Sequence, residues 1–271
     1  GLLCMRNKIM NVFLAIGIVA IVIMLLTFDV SYDEIWNNLR RAGWWFIAVV
    51  LIWLPIYLLN ACSWNVIINN GSKHKAIPFV KVLKYTISGY ALNYVTPVGV
   101  LGGEPYRIME IKPYLGTAKA TSSVILYAMM HIFSHFIFWA FSIVLYILMY
   151  FDRIDMMMGL FLVIVAAFCS LGIYFFMKGY RNGLAMKTLR VFTHVPGLRR
   201  KARRFVEEKK DTVKRIDAQI AELHRQNKRT FHLSLFLEFA SRIVGCLELW
   251  FIFMILTDTV SFWDCILIQA F

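Results

Sequence analysis

Residues 79–110 run FVKVLKYTISGYALNYVTPVGVLGGEPYRIME, and the fold turns on whether this stretch crosses a bilayer. Its first part, 79–95, is apolar but carries Lys81 and Lys84 and is shorter than the ~20 residues a membrane helix needs. Thr96-Pro97-Val98-Gly99-Val100-Leu101-Gly102-Gly103 cannot continue that helix, because proline removes a donor and glycine is a poor helix former. Glu104-Pro105-Tyr106-Arg107 then reads as a new helix start, with an acidic residue at the positive end and proline in the first turn. Two short helices around a Pro/Gly turn predict a re-entrant hairpin over 79–119. Irregular backbone at membrane depth persists only where protein buries it or a wet cavity satisfies it, so the turn also predicts a cavity.

The rest of the chain explains why a bilayer is the right frame. Of 271 residues, 60% are apolar and 17% charged, against about 25% charged in soluble domains. Mean hydropathy is +0.65. This composition excludes an ordinary cytosolic enzyme, a secreted disulfide scaffold and a disordered chain. Uncharged or nearly uncharged runs predict spans at 9–28, 44–69 (with Pro55 as a tolerated kink), 120–151, 156–177 and 230–257. A partial span covers 262–271, and because about ten residues cannot cross a bilayer, the protein is expected to continue beyond Phe271. Gly1 to Cys4 precede Met5 and are read as foreign to the fold. The expected fold is an all-α, polytopic membrane bundle with a re-entrant broken-helix hairpin.

Charge distribution sets the orientation. The net charge is +13, and residues 178–229 alone hold 16 Lys/Arg against 5 Asp/Glu, a net +11. A basic block between apolar spans marks a cytoplasmic face beside anionic lipid rather than a nucleic-acid site. Within it Leu198, Ala202, Phe205, Val206, Val213, Ile216, Ile220 and Leu223 recur at helical spacing, predicting an amphipathic connector. It lies either on the inner leaflet or against the end of the bundle. Arg6 and Lys8 place the N-terminus in the cytoplasm. Counting spans inward from both ends puts Lys75 and Lys112 on the same, cytoplasmic side, so segment 79–119 cannot cross an odd number of times.

Two further stripes bring polar groups into the spans. With Glu238 at 0° and ~100° per residue, Ser241, Arg242, Gly245 and Glu248 fall within an arc of about 120°. Intramembrane charges normally face the bundle interior. The alternative to a cavity-facing role is a structural pair of Glu238 and Arg242 at i, i+4; Glu248 has no such partner in its own helix and is the sharper candidate. In span 120–151, Tyr127, His131, Ser134, His135 and Ser142 form a second stripe. His131 and His135 lack the glutamate of an HExxH site, so no metal is expected. At the hairpin turn, Glu104 and Arg107 at i, i+3 either anchor a helix or form a headgroup site with the half-helix N-terminus. The five cysteines contain no CxxC pair, and no nucleotide, hydrolase or metal motif accompanies them, so no cofactor is expected.

Thr96-Pro97-Val98-Gly99, Gly102-Gly103-Glu104 and Arg107, followed by a long basic connector and further spans, resemble the lysylphosphatidylglycerol synthase transmembrane family. That family is flippase-like and includes the lipid-translocating half of the bacterial multiple peptide resistance factor. The resemblance implies broken or re-entrant helices around a lipid headgroup cavity in a bacterial cytoplasmic membrane. Substrate-binding candidates are then Thr96, Pro97, Gly102, Gly103, Glu104, Arg107, His131, His135, Glu238, Arg242 and Glu248. The partners it implies are membrane phospholipids, aminoacylated or polyprenyl-linked among them, with no nucleic acid; a homo-oligomer is compatible with it. No soluble aminoacyl-transfer domain is present, so synthase activity is not carried over. A lipid- or polyprenyl-phosphate-modifying transferase and a small-solute transporter remain the alternative readings.

Overall fold

The computed structural model describes residues 31–70, 77–95, 102–182, 228–256 and 259–271, with isolated positions between 15 and 27 and between 211 and 221. Most of the expected span 9–28 and of connector 178–229, together with Thr96 and Pro97, lies outside the described residues. The described elements are helical: α1 (Tyr32–Ala42), α2 (Trp44–Leu51), α3 (Trp53–Ile68), α4 (Phe79–Val95), α5 (Gly103–Tyr150), α6 (Met156–Asn182), α7 (Lys228–Leu256) and α8 (Phe262–Ala270). Among the described residues, four stretches are long and apolar enough to cross a membrane: Trp44–Ile68, Gly103–Arg153, Met156–Lys178 and Lys228–Leu256. The protein is an all-α, multi-pass membrane protein.

Local chemistry accounts for the breaks. Residues 44–68 are interrupted at Ile52, three positions before Pro55. The proline ring removes the amide that would bond to Leu51 and crowds its carbonyl. The outgoing hairpin arm abuts the span expected at 120–151, the two helices meeting end to end at a kink within Gly103–Tyr150. The division falls at Gly116, whose φ of 75° and ψ of 165° leave the helical region. Only glycine adopts that conformation without strain. Pro113, one turn earlier, withdraws a further helix hydrogen bond.

α7 is the central element, packed against α2, α3, α5 and α8, while α6 packs on α5. Small and hydroxyl residues allow the α3–α7 approach: Ser63 Oγ lies 2.8 Å from Ser234 Oγ, and Ala61, Ser63 and Ser234 are buried. Lipid supplies no hydrophobic drive for helix association, so close packing and interhelical hydrogen bonds hold such contacts. Trp64, Ile68, Val82, Ile111, Val124, Tyr127 and Met130 form the main apolar core between α3, α4 and α5. Phe133 of the same core stacks on Phe176 of α6 with ring centres 4.1 Å apart.

The arms around the Pro/Gly turn run antiparallel. Lys81 Nζ reaches Tyr114 OH at 2.8 Å, Tyr85 meets Tyr106 edge-on at 6.4 Å, and the Gly103 amide donates to Asn93 Oδ1 at 2.6 Å. At their closest point glycine faces glycine: a Cβ on Gly103 would run into the backbone of Gly89.

Candidate functional site

A cavity of about 270 Å³ opens among α3, α4, α5 and α7, with Gln269 of α8 at its edge. The stripe read from the sequence of α7 converges on it: Glu238, Ser241, Arg242, Gly245 and Glu248 all line the space. His131 and His135 face them from α5. Five of the charged or titratable candidates therefore share one cavity inside the spanning bundle.

The partners within it differ from the i, i+4 pair that spacing allows. Glu238 is 1% exposed and meets His131 Nδ1 at 2.8 Å through Oε2, while its Oε1 has no hydrogen-bond partner. Arg242 instead reaches α5, its Nε donating to Ser134 Oγ at 2.6 Å and its Nη2 to the His131 carbonyl. The interhelical contacts win because burial leaves both side chains dependent on groups from α5 rather than water. Glu248 accepts from Trp53 Nε1 at 3.0 Å. The histidine rings of His131 and His135 lie edge to face at 5.7 Å, and no metal-holding cluster occurs among the described residues.

Glu104 and Arg107 sit elsewhere. Arg107 is 1% exposed, donates through Nη1 to both Glu104 oxygens at 3.0 and 2.9 Å, and through Nη2 to the Thr86 carbonyl at 3.3 Å. Its guanidinium is ringed by Tyr90, Tyr127 and Trp64 at 4.8, 5.2 and 5.9 Å from the ring centres. Cation–π attraction of this kind strengthens when the cation is desolvated. Tyr90 also lines the cavity and bonds Tyr127 through their hydroxyls at 2.9 Å, so its ring stands between Arg107 and the cavity. Gly103 sits at the hairpin crossing and Gly102 caps α5; neither is among the residues lining the cavity.

Several lining residues were not singled out from the sequence. Trp53, Tyr57 and Asn60 stand at i, i+4 and i+7 on α3, one helical face. Asn60 was the available signal, the first of three amides in an uncharged span that also holds Asn65 and Asn69. Tyr90 and Tyr94 repeat the i, i+4 spacing on α4, where the turn after them drew the reading away. Trp139 and Gln269 carry no pattern of their own.

Compared with known families, residues 12–271 match the lysylphosphatidylglycerol synthase TM region. The chain belongs to that family. Membership covers nearly the whole chain, including every cavity-lining element, and supports a membrane, lipid-related function for it. Comparison with curated proteins and with solved structures gave no match.

Proposed function

We propose that this family member binds and translocates polar lipid headgroups through the cavity beside α7 while the acyl chains stay in the bilayer. The observation that carries the reading is the cavity itself, which holds Glu238, Arg242 and Glu248 within the spanning bundle. Ionisable groups at that depth are costly and mark substrate pathways. Arg242 offers a planar donor for a phosphate, and the two carboxylates suit an ammonium group on the same headgroup. Trp53, Tyr57 and Trp139 supply an aromatic wall. The antiparallel arms of 79–95 and 103–115 fit a hairpin that enters and leaves the inner membrane from the cytoplasmic side. In this reading Glu104 and Arg107 fasten that hairpin, and headgroup contact falls to His131, His135, Glu238, Arg242 and Glu248.

Reconstitution into proteoliposomes tests it. Glu248→Gln keeps an acceptor for the Trp53 indole but removes the charge, so translocation of an ammonium-headed lipid should fall roughly tenfold, a change of about 1.4 kcal/mol. Thermal unfolding in detergent should stay near wild type. Arg242→Lys should lower translocation of phosphate-bearing lipids generally, because lysine lacks the fork. Wild-type rates in both variants would refute the assignment.

A further inference from the structure

The Glu238–His131 pair has a geometry that a fixed structural ion pair does not require. One Glu238 oxygen is bonded to His131 Nδ1 at 2.8 Å and the other is buried without a partner. An unsatisfied buried acceptor on a carboxylate is expensive. The two partners also differ in access: the Glu238 side chain is 1% exposed and the His131 side chain 33%. Both residues stand at the cavity wall, and His131 is the more accessible member of the pair.

Among the described residues, His131 is the ionisable group hydrogen-bonded to Glu238, and the Arg242 guanidinium acts on it through space without a hydrogen bond. Arg242, one turn away on α7, gives Nε to Ser134 and Nη2 to the His131 carbonyl, and no hydrogen bond to Glu238, but its charge still acts on the carboxylate. From α5 Glu238 is faced by His131 and Tyr127, with His135 beyond, and from α4 by Tyr90. From α3 the nearest lining groups are Asn60, which is uncharged, and Tyr57, which interacts with Glu248. Arg107 lies behind Tyr90, held by Glu104.

We infer that Glu238 and His131 form one proton-binding site whose loading competes with an ammonium headgroup in the cavity. This rests on the headgroup reading above and adds to it the ion that is exchanged. In the loaded form the imidazole carries protons on both ring nitrogens and Nδ1–H faces the carboxylate, so the pair is neutral overall. Loss of the Nε2 proton to cavity water leaves Nδ1–H donating to Glu238 and gives the pair one negative charge. That charge, together with the unpartnered Oε1, attracts the cation. Arrival of the ammonium group thus drives out a proton, and a proton drives out the ammonium group.

The sign follows from linkage. Raising the pH empties the site and strengthens ammonium binding, by up to about tenfold per pH unit while the pair is loaded, and the dependence flattens once it is empty. The full chain in detergent is titrated with dioctanoyl phosphatidylethanolamine, and with dioctanoyl phosphatidylglycerol as the hydroxyl-headed control. Calorimetry in two buffers of different ionisation enthalpy, from about pH 5 to about pH 8, counts the protons displaced. The expected result is release approaching one proton per ethanolamine lipid at the acidic end and none with the glycerol lipid. Glu238→Gln abolishes the release, and His131→Asn, which keeps a hydrogen bond to Glu238, abolishes it as well. Ethanolamine lipid that binds with unchanged affinity across the range and displaces no proton overturns the exchange and leaves the headgroup reading standing. Failure of both lipids to bind at any pH overturns the headgroup reading beneath it. The wild-type titration decides the matter even if one variant fails to fold.

Discussion

Arg107→Met is expected to cost about 3–5 kcal/mol of stability, the usual penalty for removing one partner of a buried ion pair. Folded yield should drop sharply, and the thermal midpoint in detergent should fall by roughly 10 °C or more. The guanidinium meets Glu104 with one nitrogen and the Thr86 carbonyl with another, so it ties the outgoing arm to the incoming one. It also fills an aromatic box from three helices, which methionine would occupy without satisfying Glu104. Arg107→Lys should be intermediate, since an ammonium keeps the charge but cannot serve both contacts at once. Combining Glu104→Leu with Arg107→Met should recover part of the loss, because the carboxylate is no longer stranded. A midpoint unchanged in Arg107→Met would remove the fastening role.

Gly103→Ala should be the other severe change, although it adds a single methyl group. The new Cβ would collide with the carbonyl oxygen, carbonyl carbon and Cα of Gly89, all backbone atoms with no rotamer to escape into. Overpacking costs about 1–3 kcal/mol where side chains can give way, and a backbone obstacle places this case at the upper end. The arms must separate, which also breaks the short bond from the Gly103 amide to Asn93. The measurable outcome is a lower thermal midpoint and reduced folded yield. Gly89→Ala, whose Cβ would press on the Arg107 guanidinium, should weaken the same junction from the other arm. Wild-type stability in both variants would mean that the arms do not cross where the structure has them.

The helices were legible where periodicity and composition speak alone. Spans at 44–69, 156–177 and 230–257 correspond closely to Trp44–Ile68, Met156–Lys178 and Lys228–Leu256. The α7 stripe was legible for the same reason: charges cannot face lipid, so their angular positions locate the interior. Partner choice was not legible, because spacing within one helix says nothing about what the neighbouring helix offers. Spacing thus offered Arg242 as the structural partner of Glu238, whereas in the structure its hydrogen bond is to His131. The end of the outgoing arm was hidden too, since the kink falls at Gly116, which the sequence reading did not single out, while Pro113 one turn earlier sits inside the helix. For Arg107 the sequence shows a charge at a helix start. That Tyr90 closes it off from the cavity depends on how α4 lies against α5.

The claim that polar headgroups pass through the cavity is tested most directly by filling it. Gly245 lines the space, and a Cβ there would touch only Gln269 Nε2, at 3.9 Å. Gly245→Phe should thus occupy the cavity without displacing backbone, while Leu148→Phe on the exposed face of α5, where the residue is 77% exposed, controls for added bulk. Lipid translocation is measured in proteoliposomes alongside thermal unfolding of the same preparations. The account predicts near-complete loss of translocation in Gly245→Phe, with its unfolding midpoint and the activity of Leu148→Phe both close to wild type. Wild-type translocation through a chain whose cavity carries phenylalanine would contradict it.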